Sequence, residues 1–288
     1  MRHTSSQIVL LMSVAMLCFA ANSIVCRMAL VPKFIDAETF TTIRVLSAGA
    51  MLSAGLYLSH GQFPRLDKVK LRSAVALLGY LVFFSFAYVR LDAGSGALVL
   101  IGAVQATMFA IAFLEGERFR FAQWTGLGLA VLGFLYLILP GIGAPDALGT
   151  LLMALSGISW GFFSLFARGT SDPIAANAGN FLLCLLPVSI INLLFGHPLE
   201  TAPAGLLLAT ISGGIATGFG YIVWYLVVRD MPVTHAATVQ LSMPALVGLG
   251  GAAFLSEPIT FRLLLASAAM LGGIALVLGR RSEPSTAS

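Results

Sequence analysis

The chain has 288 residues, 58% of them apolar by type and only 10% Asp, Glu, Lys or Arg. A soluble domain carries about 25% charged residues. So low a share cannot cover the surface of a water-soluble protein, which excludes a soluble globular enzyme. The formal net charge of +4 does not require nucleic acid; with a mean hydropathy of +0.95 it fits cationic loops beside a membrane.

Apolar stretches bounded by Gly, Pro or charge predict ten helical spans: 8–27, 38–58, 72–91, 94–114, 121–140, 148–167, 175–195, 205–228, 233–255 and 261–279. The runs are too long for the short alternating strands of a barrel. The first has no clear cleavage site and is followed by others, so it reads as a first span. Residues 282–288 are small and polar and are expected to be a disordered tail. Cys18, Cys26 and Cys184 lie in apolar runs and pass as small hydrophobes. With neither CxxC nor HExxH present, no metal, cofactor or disulfide framework is expected.

Basic residues set the orientation. With a cytoplasmic N-terminus, Arg2, Arg65, Lys68, Lys70, Arg72, Arg118, Arg120, Arg168, Arg229, Arg280 and Arg281 fall inside. Arg27, Lys33, Arg90 and Arg262 fall outside, and Arg44 lies within a span. This bias favours both termini inside, which requires an even number of spans.

The sequence repeats itself. CFAANSIVCR at 18–27 aligns with SWGFFSLFAR at 159–168, pairing Phe19 with Trp160 and Arg27 with Arg168. GERFRFAQWTGLGLAVLG at 116–133 aligns with SEPITFRLLLASAAMLGG at 256–273, pairing Glu117 with Glu257. Arg90 pairs with Arg229 between them, and the offset stays at 139–141 residues. The expected units are 1–142 and 143–281, each of five spans. Five is odd, so the second unit enters the membrane in the opposite sense. The loop RLDKVKLR after span 2 is basic, whereas GHPLETAPAG after span 7 has no Lys or Arg, as inversion requires. Inverted repeats mark secondary transporters that bind substrate near mid-membrane.

With these features the sequence resembles the drug/metabolite transporter superfamily, in its EamA-type branch of ten-helix permeases. The resemblance covers about 8–280 and rests on the two halves, on Trp160-Gly161 with Arg168, and on Arg44. It rests also on YIVWYLVVRDMPVTHAATVQLSMPALVGLGGAAFLSEPIT, where Arg229, Pro232, Ala236, Ala237, Pro244 and Glu257 match the family pattern. Two departures stand out. Phe19-Ala20 replaces the frequent Trp-Gly of the first span, and Gln105 or Val104 replaces the proline corresponding to Pro244. Within the family the chain is most similar to bacterial exporters of aromatic and other bulky amino acids. That implies a multi-pass protein of the bacterial cytoplasmic (inner) membrane.

Polar groups at membrane depth are costly unless partnered, so they are site candidates. Arg44 lies about 9 Å along span 2 at 1.5 Å per residue. Its guanidinium suits a substrate carboxylate; the alternatives are snorkelling to the surface or a bond to a helix end. Gln105 and Gln240 occupy equivalent places in spans 4 and 9, and each amide can donate to a carboxylate while accepting from an ammonium. Bonding between helices is the alternative. Asn22, Asn177 and Asn180 pose the same choice. His235, near the inner end of span 9, can titrate near neutrality but needs no role there.

Aromatic residues gather on spans 3, 6 and 8: Tyr80, Phe83, Phe84, Trp160, Phe163, Tyr221, Trp224 and Tyr225. Tyr80 and Tyr221 each follow a glycine and are expected to flank a planar apolar substrate from opposite halves, with Trp160 doing likewise. Simple packing is the alternative. Pro187 and Pro244 interrupt spans 7 and 9 and are candidate hinges. Gly126-xxx-Ala130, Gly214-xxx-Gly218 and Ala269-xxx-Gly273 permit close helix approach. Glu117 and Glu257 precede spans 5 and 10 and are expected at the N-termini of those helices. No Asp or Glu falls mid-span, which favours facilitated transport or exchange over proton coupling.

The expectation is an all-α integral membrane protein that exports small amphipathic metabolites, foremost aromatic or other bulky amino acids, by alternating access. The alternative is a permease for nucleosides, sugars or xenobiotics. An intramembrane enzyme lacks its motifs here. The expected partners are a small-molecule substrate and the lipid bilayer, with no nucleic acid, and a monomer is the expected state. Substrate is expected at Tyr80, Gln105, Trp160, Tyr221, Gln240, Arg44, Asn22, Phe163, Asn180 and Tyr225.

Overall fold

The computed structural model describes residues 5–66, 71–116, 119–141, 143–167, 170–197, 201–228 and 239–279. Glu117, Arg118, Arg168, Arg229, Pro232, His235, Ala236, Ala237, Arg280, Arg281 and the 282–288 tail lie outside the described residues.

The described residues are helical, without strands. The helices are α1 (Ser5–Leu30), α2 (Ala37–His60), α3 (Leu71–Tyr88), α4 (Ala93–Leu114), α5 (Phe121–Ile138), α6 (Ala147–Phe166) and α7 (Pro173–Phe195). There follow α8 (Pro203–Thr210), a π-helical segment (Ile211–Phe219), α9 (Gly220–Val228), α10 (Met243–Leu255) and α11 (Phe261–Gly279). Eight stretches among the described residues are long and apolar enough to cross a membrane, the eighth being α8 through α9; two shorter apolar helices lie in α10 and α11.

Aspartates start several helices. Asp36 accepts from the Thr39 amide (2.8 Å), Asp146 from Gly149 (2.7 Å) and Asp172 from Ala175 (3.0 Å). Each satisfies a donor that the first helical turn leaves free. Gly61 closes α2 with φ 64°, in the left-handed region that glycine enters without a Cβ clash.

Contacts at the ends fix the helix directions. The end of α3 and the start of α6 meet through Arg90 and Asp146 (3.8 Å). The start of α2 meets the end of α7 through Thr39 and Asn192 (2.8 Å), and its other end reaches Asp172 through His60 (4.0 Å). The start of α11 meets the end of α5, where Arg262 donates to the carbonyls of Leu137 (3.3 Å) and Leu139. Thus α1 ends, and α6 begins, on the side of the bundle that carries Arg27.

The packing repeats across the halves. A Cβ on Gly79 would meet Ser159 of α6 at 2.8 Å, and one on Gly220 would meet Cys18 of α1 at 2.9 Å. Both pairs are related by the 141-residue offset. Gly126 and Gly273 face each other across α5 and α11.

Three expectations about helices need correction. Span 8 is not a uniform α-helix, because its middle third is π-helical. Pro244 does not interrupt a continuous helix; it sits in the first turn of α10, behind a turn at Leu241–Ser242. A proline there loses no intrahelical bond, because first-turn amides have no partner in their own helix. Third, of the expected Gly214-xxx-Gly218 pair only Gly218 makes a close approach, and the other belongs to Gly213, where a Cβ would overlap the Arg44 carbonyl and the Ser47 hydroxyl. Pro187 lies inside α7 as expected.

Candidate functional site

Among the described residues Arg44 is the largest fully buried side chain, at 0% exposure. It does not snorkel. Nη2 donates to the Tyr80 hydroxyl (3.2 Å), and the guanidinium lies 4.6 Å from the Phe84 ring centroid and 5.5 Å from that of Tyr80. Nε and Nη1 have no hydrogen-bond partner. Guanidinium stays protonated in proteins, so a cation is held here against aromatic faces with donors to spare. The described carboxylates all lie at helix ends or in loops: Asp36, Glu38, Glu115, Asp92, Asp146, Asp172 and Glu257.

From Arg44 a line of rings runs through the bundle. Tyr80 lies 4.7 Å from Trp160, Trp160 stacks on Tyr221 at 5.9 Å and 23°, and Tyr221 stacks on Tyr225 at 5.9 Å and 12°. Phe163 packs on Trp160 at 5.3 Å. Trp160 stands between Tyr80 and Tyr221, in ring contact with both. Its indole is larger than its counterpart Phe19 and fills the gap on its own side. Phe19 repeats the arrangement across the halves: it lies 5.4 Å from Tyr221, as Trp160 lies 4.7 Å from Tyr80. Its alignment with Trp160 was the signal for a residue missing from the expected site.

Asn22, Asn177 and Asn180 are all buried. Asn22 accepts from Ser212 (2.7 Å) and Thr217 (3.4 Å), which binds α1 to the π-helical segment. A π turn admits an extra residue, and such turns gather at functional sites. Asn180 donates to Ser73 (3.4 Å) and Asn177 to the Tyr225 hydroxyl. Gln105 is buried on α4 and Gln240 half-buried before the turn at Leu241. Among the described residues neither glutamine hydrogen-bonds to Arg44 or to the ring line, so the structure does not join them to this cluster.

A second polar cluster closes the bundle end where α1 stops. Arg27, only 8% exposed, donates Nε to Glu257 (2.8 Å), Nη1 to the Tyr88 carbonyl (3.0 Å) and Nη2 to Asp92 (3.3 Å). The other Glu257 oxygen accepts from the Ala93 amide at 2.7 Å. Glu257 therefore serves the N-terminus of α4, in the other half of the chain, and not that of α11 as its sequence position suggests. The left-handed Ser256 (φ 55°) turns the chain so that the carboxylate points back into the bundle.

Outside the spans, Asp36 has a titration shifted by its surroundings. Partial burial works to raise its carboxyl, but hydrogen bonds, foremost that from the Thr39 amide, together outweigh it and hold it below the usual carboxylate range.

The EamA-like transporter family model matches twice, over 6–139 and 147–279. An uncharacterized protein of Pseudomonas aeruginosa is 46% identical over 94% of both chains. A protein of Streptantibioticus cattleyicolor, named a probable terminal-alkyne amino-acid exporter, is 25% identical over 86% of both. An uncharacterized inner membrane transporter of Escherichia coli, YedA, is 25% identical over 62% of this chain and 58% of its own. One solved structure superposes with a TM-score of 0.63 over 92% of this chain and 97% of that one, at 20% identity, and shares the fold. Two family matches in tandem, on a bundle whose first and sixth helices run in opposite directions, place this chain in the EamA-like transporter family.

Proposed function

We propose that the protein exports amino acids with bulky, apolar side chains across a bacterial inner membrane by alternating access. The observation that carries this reading is Arg44. A guanidinium with free Nε and Nη1 is matched in shape and charge to a substrate carboxylate. The rings of Tyr80, Trp160, Tyr221 and Tyr225 continue from it and suit a large side chain. The relative named as an amino-acid exporter supports the same class. Opening the Arg27 end requires the Arg27–Glu257 pair to part, since it joins α1 to the loop between α10 and α11 in the other half.

Purified protein in liposomes tests the reading with a panel of radiolabelled amino acids. Faster movement of phenylalanine, tryptophan or leucine, lost in R44L, is expected. Uptake no faster than in protein-free liposomes across the panel overturns it.

A further inference from the structure

Asn177 and Asn180 are three residues apart on one face of α7 and are 3% and 4% exposed. Asn177 directs its NH2 to the Tyr225 hydroxyl and Asn180 directs its own to Ser73. The two side-chain carbonyl oxygens are buried and have no donor. Buried acceptors without a partner are rare and destabilising, so each requires an explanation. Tyr225, whose hydroxyl Asn177 meets, stacks on Tyr221, and the two rings add electron-rich faces. Free acceptors beside aromatic faces attract a cation, and a neutral amide does so without burying a carboxylate.

This acceptor pair is distinct from Arg44. Helices α2 and α7 run antiparallel, and Gly49 of α2 packs level with Phe181 of α7. Asn180 thus lies about 10 Å from Arg44 along the bundle, at 1.5 Å per residue. The ring line spans the interval. An α-amino acid carries its ammonium and carboxylate only a few bonds apart, so it reaches one pole at a time.

We infer that Asn177, Asn180 and Tyr225 form an amine-recognising station that takes the protonated amino group of the substrate. It separates amino acids from their deaminated analogues, and Arg44 at the other pole takes the carboxylate in a separate step. The inference rests on the amino-acid reading above and adds a specificity-determining subsite to it.

Phenylalanine counterflow in liposomes tests it, with phenethylamine (amine alone) and 3-phenylpropionate (carboxylate alone) as competitors. Both should inhibit the unaltered protein. In N177L and N180L, inhibition by phenethylamine should weaken at least tenfold, with inhibition by 3-phenylpropionate unchanged; that second competitor also reports correct folding. N177D should strengthen phenethylamine. Phenethylamine inhibition that is equal in the unaltered protein and the N177L/N180L double variant overturns the station. If phenylalanine does not move, phenethylamine titrated against tryptophan fluorescence decides. Quenching that N177L abolishes keeps the station and removes the amino-acid reading; no quenching removes both.

Discussion

Arg27 Nε donates to the Glu257 carboxylate at 2.8 Å across 230 residues of chain, joining the end of α1 to the loop between α10 and α11. The pair is nearly closed to water, with side chains 10% and 11% exposed. Removing one partner leaves the other charge buried, which costs about 3–5 kcal/mol. R27Q and E257Q should each lower the thermal midpoint in detergent, and the double variant should lose less than their sum. Additive losses in that cycle would show that the pair is not coupled.

Arg44 should display a trade between stability and transport. Its guanidinium is buried with two donor atoms unpartnered. Burying a charge without a partner is costly, and replacing it by a hydrophobe removes that cost. R44L is expected to melt later than the unaltered protein and to lose transport. R44K keeps the charge but not the fork and should lower transport about tenfold or more. An R44L protein that melts earlier and still transports contradicts the assignment.

Trp160 touches Tyr80, Phe163 and Tyr221. Phe19 occupies the equivalent place in the other half with a smaller ring. W160F should therefore keep transport within about threefold, while W160A should lose about 0.5–1.5 kcal/mol per ring contact and most transport of aromatic substrates. Initial rates for phenylalanine and alanine in parallel read this; equal losses for both point to packing alone.

A Cβ on Gly213 would overlap the Arg44 carbonyl and the Ser47 hydroxyl. Backbone cannot swing aside as a side-chain tip does. G213A should push the π-helical segment away from α2, cost about 1–3 kcal/mol and disturb Arg44. Gly214 meets nothing nearer than 3.9 Å, so G214A is the matched control. Urea or thermal unfolding of the two variants should separate them clearly.

Asp36 predicts a pH dependence. Its carboxyl is held below the usual range, so it binds fewer protons folded than unfolded. Its contribution is full above the unfolded value, about 3.9, and is lost as pH falls below that toward the folded value. D36N should flatten this part of the profile. Thermal scans between pH 3 and 6 give the comparison, and profiles of identical slope reject the prediction.

Much of the fold was legible because the bilayer imposes a length and a polarity on each span. The runs at 38–58, 94–114 and 175–195 became α2, α4 and α7 with boundaries displaced by two residues or fewer. The 141-residue offset, visible as Phe19 with Trp160, reappears as Phe19 on Tyr221 and Trp160 on Tyr80. The π-helical segment was not legible, because Ile211–Phe219 is apolar and glycine-rich like its neighbours and its winding follows from packing on Asn22, Arg44 and Ser47.

The sequence alone determined that the chain is helical and lipid-embedded, that it repeats, and that Arg44 is anomalous, since each follows from composition or spacing along one chain. Which partners the polar groups find is a property of neighbours remote in sequence. Only the tertiary structure decided that Glu257 serves α4 and Arg27, that Trp160 stands between the two tyrosines, and that Arg44 is wholly buried with free donors. Periodicity tells a helix which face to bury, whereas the long-range packing of α2, α3, α6 and α7 sets what that face meets.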